Sequence, residues 1–449
     1  MKYSSDTIAA ISTPPGVGAL SVIRVSGKEA ISVVQKYFSK SLDGISSHTI
    51  VHGFIKDAGR IIDEVILSLF KAPHSYTGED VVEISCHGNP FIANQILELL
   101  LRDIRLAERG EFTQRAFLHN KLDLTQAEAV ADLINAKTKA SQQAALQQMK
   151  GALHHRIATL LEELTEYRTQ LEVEIDFAEQ DVPEIDLDTL KEKLKVFYDK
   201  LEDLIHSGQE GTILREGFRV GLVGAPNVGK SSVFNAFLKT ERAIVTPTPG
   251  TTRDYLEEVI SLKGYLVKLY DTAGLRETDD PVEKIGVQRT YEIVRSCHKV
   301  LFIADSHQSS EEYEDVTHFI PPENIIKVIN KTDVMDEATV DSFLNNDYLP
   351  CSTQTQTGLD ALKEKLLDLI KVQDTQLGAG ILTNIRQIAA TRKAISAIEN
   401  AIRSIDDKLG VEFTAFDLKE ASTALEEIIG KVSSDDILNR IFDNFCIGK

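Results

Sequence analysis

A chain of 449 residues is long enough for about three domains of usual size, which excludes a single core. Its 69 acidic residues outweigh 49 basic ones for a formal charge of -20, so a nucleic-acid partner has to be met by a local basic patch rather than by the overall field. Four cysteines, Cys86, Cys297, Cys351 and Cys446, are scattered without metal-like pairing and no apolar stretch approaches ~18 residues, a composition that predicts a cytoplasmic protein with reduced thiols and no membrane segment.

From Asp6 to about Leu118 short strands and helices mix: Ala19 to Val25 and Glu64 to Phe70 have strand patterns, and Lys28 to Phe38 a helical one. This predicts an α+β module. Its distinctive residues fall in turns, at Thr13-Pro14-Pro15-Gly16, Ser75 to Asp80, Cys86-His87-Gly88 and Arg109 to Phe117. From Lys121 to about Gly211 the spacing becomes helical, through Leu153, Ile157, Leu160, Leu164, Tyr167 and Leu171, and Gly211 to Gly217 is expected to be a short connector.

The apolar run Val220 to Val223 then enters Gly224-Ala-Pro-Asn-Val-Gly-Lys-Ser231, followed by an amphipathic helix with Val233, Phe234, Phe237 and Leu238 turned inward. Strand, glycine loop and helix in that order make a phosphate loop. Its glycines let successive amides point at phosphate, Lys230 supplies a point charge and Ser231 can ligate magnesium. Gly250-Thr251-Thr252-Arg253-Asp254 is a polar loop whose Thr252 can complete the magnesium shell. The strand Leu266 to Tyr270 runs into Asp271-Thr272-Ala273-Gly274, an acid for the magnesium shell and a glycine amide that can sense the terminal phosphate.

Another strand, Ile325 to Ile329, ends at Asn330-Lys331-Thr332-Asp333, whose carboxylate can accept from the ring nitrogen and exocyclic amine of guanine. Adenine lacks that donor pair, so the nucleotide is GTP. Asn330-Lys331-Thr332 also fits a glycosylation acceptor, which a cytosolic strand end disfavours. The domain is expected to close with a strand near Leu349 to Ser352 and a helix from Leu359 to Ile370, and Val372 to Gly380 leads back out. Helical spacing resumes through Ile385, Ile388, Ile395, Ile398, Ile402 and Ile405, then Leu418, Leu425 and Ile428. Neither helical half has an obvious core of its own, so the two are expected to pack together with the GTPase domain inserted between them; two separate helical appendages are the alternative.

The phosphate loop, Gly-Thr-Thr-Arg-Asp, Asp-Thr-Ala-Gly-Leu-Arg-Glu from Asp271 to Glu277, Lys121-Leu-Asp-Leu-Thr-Gln-Ala-Glu-Ala129 and a terminal Phe-Cys-Ile-Gly-Lys occur together. In this the chain resembles, over essentially its full length, the MnmE (also called TrmE) tRNA-modification GTPases. The resemblance implies a multidomain α/β and α protein: an amino-terminal α+β tetrahydrofolate-binding and dimerisation domain at 1–118, a discontinuous helical domain at 119–212 and 373–449, and an inserted Ras-like GTPase domain at 217–372. It further implies a homodimer whose GTPase domains pair in a nucleotide-dependent way, and a heterotetramer with the flavoprotein MnmG. The product is a carboxymethylaminomethyl or aminomethyl group on C5 of a tRNA wobble uridine. The one-carbon unit comes from 5-formyltetrahydrofolate or methylenetetrahydrofolate.

By position, the family's folate contacts fall on Arg24, Glu83, Lys121 and the terminal Lys449. The nucleotide contacts fall on Asn227, Val228, Gly229, Lys230, Ser231 and Ser232, on Thr246 to Thr252 (Thr246, Pro247, Thr248, Pro249, Gly250, Thr251, Thr252), and on Asp271, Thr272, Ala273 and Gly274. Asn330, Lys331, Thr332 and Asp333, with Ser352, Thr353 and Gln354, complete them. Leu275 stands where Ras-type enzymes carry a water-positioning glutamine, and leucine cannot orient water. The resemblance supplies K+ instead, held by Asn227, Thr246, Thr248 and Thr251, beside Mg2+ on Ser231 and Thr252. It makes Glu283 act through a bridging water, with a solvated acidic loop as the plainer reading, and Arg276, Asn227 and Cys446 join it as candidate catalytic residues. Cys446 is either part of the modification chemistry or a buried structural thiol; a terminal lysine makes Cys-Ile-Gly-Lys a poor prenylation box.

Two departures from the family pattern stand out. Ser352-Thr353-Gln354 replaces a usual Ser-Ala-Lys or Ser-Ala-Arg, which changes the side chain against the base, and His87-Gly88-Asn89 replaces a His-Gly-Gly, which is expected to alter that turn. A GTP-switched ribosome-assembly factor is the contrasting reading, but it predicts a basic carboxyl-terminal domain where this chain has an acidic one. A stand-alone folate enzyme with a regulatory GTPase is the third.

Overall fold

The computed structural model describes residues 6–176, 186–241, 257–271, 292–305, 310–370, 380–432, 435–443 and 445–449, in two compact units. The first unit comprises Met1–Ala131, Met149–Ile185 and Arg403–Lys449; the second comprises Asp132–Gln148 and Asp186–Ile402.

The first unit is built on a six-stranded sheet of order β3-β4-β5-β2-β1-β6. Its strands are β1 (Ile8–Ile11), β2 (Leu20–Ser26), β3 (Thr49–Asp57), β4 (Arg60–Phe70), β5 (Val81–His87) and β6 (Arg105–Leu106). Alternation fixes which face is covered: in β4, Val65, Leu67 and Leu69 are buried while Glu64 and Ile66 are exposed. The buried face packs on α1 (Ala30–Tyr37) and α2 (Pro90–Leu100) through Val33, Val34, Ile96 and Leu99. The turn before α2 does not need a second glycine. Asn89 lies at φ -108, extended backbone that any residue adopts, and caps the helix by accepting from the Phe91 amide at 2.9 Å.

Helix α3 (Glu111–Leu118) carries a buried ion network. Arg115, 6% exposed, donates to Glu79 at 3.0 Å, Glu111 at 2.8 Å and Asp6 at 2.9 Å. Helices from the two distant parts of the chain also meet here, since α6 (Ala152–Asp176) packs along the helix Val411–Ile429.

The second unit is a six-stranded sheet of order β12-β11-β10-β7-β9-β8, in which β8 is Glu257–Leu262, β9 is Tyr265–Asp271 and β12 is Leu349–Pro350, parallel except for the β8–β9 pair. Central strands β7 (Phe218–Val223), β10 (Lys299–Ala304) and β11 (Ile325–Ile329) are nearly continuous apolar runs, as strands covered on both faces must be. The helices α8 (Lys230–Glu241) and Leu359–Ile370 bury Val233, Phe237, Leu362 and Leu366 against the sheet.

The expected connector from Gly211 to Gly217 is corrected by the structure. Helix α7 (Leu187–Glu216) runs through it, and only Gly217, at φ 94, ends the helix. Gly211 is in the helix because a Cβ there would lie 1.9 Å from the Leu382 carbonyl oxygen, and Gly208 likewise admits Ile388. Close approach of another segment, not a turn, is the reason for these glycines. In the same unit Thr383 donates to Gln148 at 2.9 Å, and Arg215 pairs with Asp132 at 2.7 Å.

Candidate guanine-nucleotide site and a tail-bound ionic cluster

The phosphate loop follows β7 directly. Gly224 sits at φ 141 where a Cβ would lie 2.1 Å from the Ile303 carbonyl oxygen, and Gly229 at φ 100 leaves room for the Asn330 amide, 2.2 Å from where its Cβ would be. Asn227 adopts φ 64, so three left-handed residues turn the chain before α8 begins at Lys230. The Lys230 ammonium donates back to the Gly224 and Ala225 carbonyls at 2.8 and 2.7 Å, which holds its charge over the loop.

Register brings the acid into place. β9 (Tyr265–Asp271) pairs with β7 so that Asp271 lies opposite Leu222, and Ser231 Oγ donates to Asp271 Oδ2 at 2.9 Å. Asp271 Oδ1 is buried and has no hydrogen-bond partner among the described residues. A buried carboxylate oxygen without a partner is costly, and beside a hydroxyl on a phosphate loop it fits the outer shell of a magnesium ion.

At the end of β11, Asn330 is 1% exposed and braces two segments at once. Its Nδ2 donates to the Val228 carbonyl at 2.9 Å and its Oδ1 accepts from the Thr353 amide at 3.3 Å. Lys331, at φ 62, donates to the Asn227 carbonyl and to Asp305, each at 2.7 Å. Asp333 accepts from Ser352 Oγ at 2.5 Å, and Thr332 donates to the Cys351 carbonyl at 3.1 Å. The altered Ser352-Thr353-Gln354 segment is therefore held by side-chain bonds at Ser352 and a backbone bond at Thr353, while Gln354 is exposed. Thr246, Pro247, Thr248, Pro249, Gly250, Thr251, Thr252, Thr272, Ala273, Gly274, Arg276 and Glu283 lie outside the described residues.

A second cluster lies in the first unit, where β2 and β5 set Arg24 opposite Glu83. Arg24 Nε and Nη2 both donate to Glu83 Oε1, at 2.9 and 2.7 Å, so Oε2 takes no part in the pair. The guanidinium lies over the rings of Tyr76 and Phe112, 5.3 and 5.6 Å from their centroids. The carboxyl-terminal tail closes on this cluster: the Gly448 carbonyl accepts from Ser12 Oγ at 3.1 Å and Arg24 Nη1 at 3.5 Å, and Phe112 N donates to Lys449 O at 3.2 Å. Burial, then the neighbouring Arg24 charge, pulls the Lys449 ammonium below its ordinary pKa. Arg24, Glu83 and Lys449 thus come together, whereas Lys121 donates to the Pro73 carbonyl at 3.0 Å. Cys446 is exposed, which removes the alternative of a buried structural thiol.

Sequence reasoning missed three contributors: the brace at Asn330, the aromatic seat of Arg24, and the Arg115 network behind the Ser75–Asp80 turn. The one available signal was Glu111 and Arg115 at i and i+4 in a segment read only as a turn.

Family models match in order along the chain, "GTP-binding protein TrmE N-terminus" over residues 7–121 and "MnmE helical domain" over residues 124–446. Proteins named tRNA modification GTPase MnmE are 40% identical to it in Christiangramia forsetii, over 99% of both chains, and in Clostridioides difficile, over 100% of both. The Aquifex aeolicus protein of that name is also 40% identical, covering 99% of this chain and 100% of its own. With these matches spanning both chains end to end, and a phosphate loop, an acid and a guanine segment converging on one sheet, the chain belongs to the MnmE family of tRNA modification GTPases.

Proposed function

We propose that this chain hydrolyses GTP with K+ activation and, together with the flavoprotein MnmG, forms a carboxymethylaminomethyl or aminomethyl group on C5 of the wobble uridine of certain tRNAs. The observation that supports the nucleotide half is the convergence of Lys230, Ser231, Asp271 and Asn330 at the carboxyl ends of parallel strands, where open α/β sheets bind ligands. Lys230 and the loop amides neutralise phosphate charge, and Ser231 with Asp271 would hold Mg2+. Asp333 selects guanine. Asn227, exposed beside the loop, would contribute a K+ ligand with Thr246, Thr248 and Thr251, and Glu283 would position water in place of the missing glutamine. K+ supplies the charge that an arginine finger gives elsewhere.

For the folate half, the support is the tail-closed cluster. Glu83, with Oε2 outside its pair with Arg24, can accept from the donor edge of a pterin, and Arg24, Lys121 and Lys449 can meet carbonyl or carboxylate oxygens of 5-formyltetrahydrofolate or methylenetetrahydrofolate. Cys446 is exposed beside this group. The domain bounds 1–118, 119–212, 217–372 and 373–449, a homodimer through the first of them, a heterotetramer with MnmG, nucleotide-dependent pairing of the GTPase domains and a cytoplasmic location belong to the same proposal.

Mass spectrometry of tRNA nucleosides from cells with and without the chain, MnmG held constant, tests the modification; unchanged wobble uridines in its absence refute it. Turnover of GTP in K+ against Na+ tests the activation, and equal rates refute that part.

A further inference from the structure

The first unit also holds an open cavity of about 750 Å³ where three chain reversals meet. Each reversal has a left-handed residue beside a lysine: Asn120 (φ 54) before Lys121, Gly151 (φ 87) after Lys150, and Gly430 (φ 83) before Lys431. All three lysines line the cavity, as do His154 and His155 from the first turn of α6, with ring centroids 6.0 Å apart. The geometry is built rather than incidental, since a Cβ on Gly430 would lie 2.7 Å from Leu124 Cβ and 2.9 Å from the Phe117 ring.

The only acid among the described lining residues is already engaged. Asp123 Oδ1 caps α4 (Leu124–Asn135) by accepting from Thr125 N at 2.7 Å, Thr125 Oγ1 at 2.6 Å and Gln126 N at 3.0 Å. Its Oδ2 lies 3.0 Å from His154 Nδ1, a distance for an ion pair but outside hydrogen-bond geometry, which leaves that buried nitrogen without a hydrogen bond among the described residues. Three lysines against one carboxylate make this a local reversal of sign in a chain of charge -20.

We propose that this cavity binds the phosphodiester backbone of RNA, with Lys150 and Lys431 at phosphate oxygens and the exposed His155 ring available to stack on an unpaired base. Exposed lysines around an open basin suit a polymer that runs across it, whereas a small-molecule site is enclosed. The proposal rests on the reading of the chain as acting on tRNA.

The test is fluorescence anisotropy of labelled, unmodified tRNA with the full-length chain across a salt series. Lys121 is left intact because its position belongs to the folate set. Losing two phosphate contacts in Lys150→Gln/Lys431→Gln flattens the log–log salt slope by about 2 and weakens binding about 10- to 30-fold at 0.15 M salt. The Lys150→Arg/Lys431→Arg pair, which keeps both charges, stays within about twofold of the parent, and GTP turnover without RNA is unchanged in both variants. A glutamine pair that binds with the parental slope overturns the site, as does an arginine pair that loses as much as the glutamine pair. No binding of tRNA by the parent chain itself overturns the tRNA reading, and the site with it.

Discussion

Asn330→Ala removes the brace between the phosphate loop and the guanine segment. The substitution leaves the Val228 carbonyl without its 2.9 Å donor and the Thr353 amide without its 3.3 Å acceptor. Val228 is 1% exposed, so its carbonyl is orphaned in the interior, and such a group costs about 1–3 kcal/mol; the longer, partly exposed Thr353 bond adds about 1 kcal/mol. The total of about 2–4 kcal/mol falls on loop placement, and at 1.4 kcal/mol per decade it weakens nucleotide binding about 30- to 1,000-fold. Titration of the full chain with a fluorescent GDP analogue in excess Mg2+ measures it, with circular dichroism to confirm that the variant is folded. Asn330→Asp is the sharper probe. It has the same size and keeps an acceptor for Thr353, but it sets an oxygen against the Val228 carbonyl, so it binds no better than the alanine variant. Affinity within threefold of the parent for Asn330→Ala, or a near-normal aspartate variant, refutes the brace.

Gly211→Ala inverts the usual helix rule. Helix propensity alone favours alanine by about 0.5–1 kcal/mol, but a Cβ 1.9 Å from the Leu382 carbonyl oxygen forces the backbones apart at about 1–3 kcal/mol, so urea denaturation shows a net loss of up to about 2.5 kcal/mol. A stabilised variant refutes the close approach. His298 accepts from the Arg219 amide at 2.9 Å and stacks on Phe218 at 5.0 Å, and burial, then the Arg219 charge, holds its pKa below 6.5. The unfolded chain therefore takes up this proton first, so its contribution is present above pH 6.5 and is lost as pH falls through the lower folded value. The urea midpoint of the second unit drops on acidification from pH 7, and His298→Asn makes that drop shallower; an unchanged slope counts against it. Thiol labelling at pH 8 gives one fast cysteine, the exposed Cys446, because burial pushes Cys86 and Cys351 up to about 11 and Cys297 up to about 12. Fast labelling persisting in Cys446→Ser contradicts this.

What was legible in the sequence was what local chemistry dictates. A phosphate loop needs amides turned inward and no Cβ at its crossing points, so Gly224 and Gly229 announce it, and β11 and the helix Leu359–Ile370 follow from apolar runs of the right period and length. β1, β3 and β5 escaped because burial in a mixed sheet depends on neighbours: β3 buries only Gly53 and Ile55 of nine residues, which leaves little alternation to read. Gly211 was misread for the complementary reason. A glycine in a polar helical stretch looks like a break, and only the partner segment at Leu382, far away in sequence, shows that it is an approach.

The same distinction separates the two clusters of functional residues. Lys230, Ser231 and Asp271 are set by one strand–loop–helix unit and one strand pairing, so spacing alone was enough to expect them together. Arg24 meets Glu83 only through the β2–β5 register, and meets Gly448 across 424 positions of chain. Their geometry thus depends on the segment around Gly448 docking on the first sheet, a contact whose loop-closure entropy packing has to offset. A site completed by residues 424 positions apart is set by that long-range coupling, not by any single residue's chemistry, and this is what local pattern could not display.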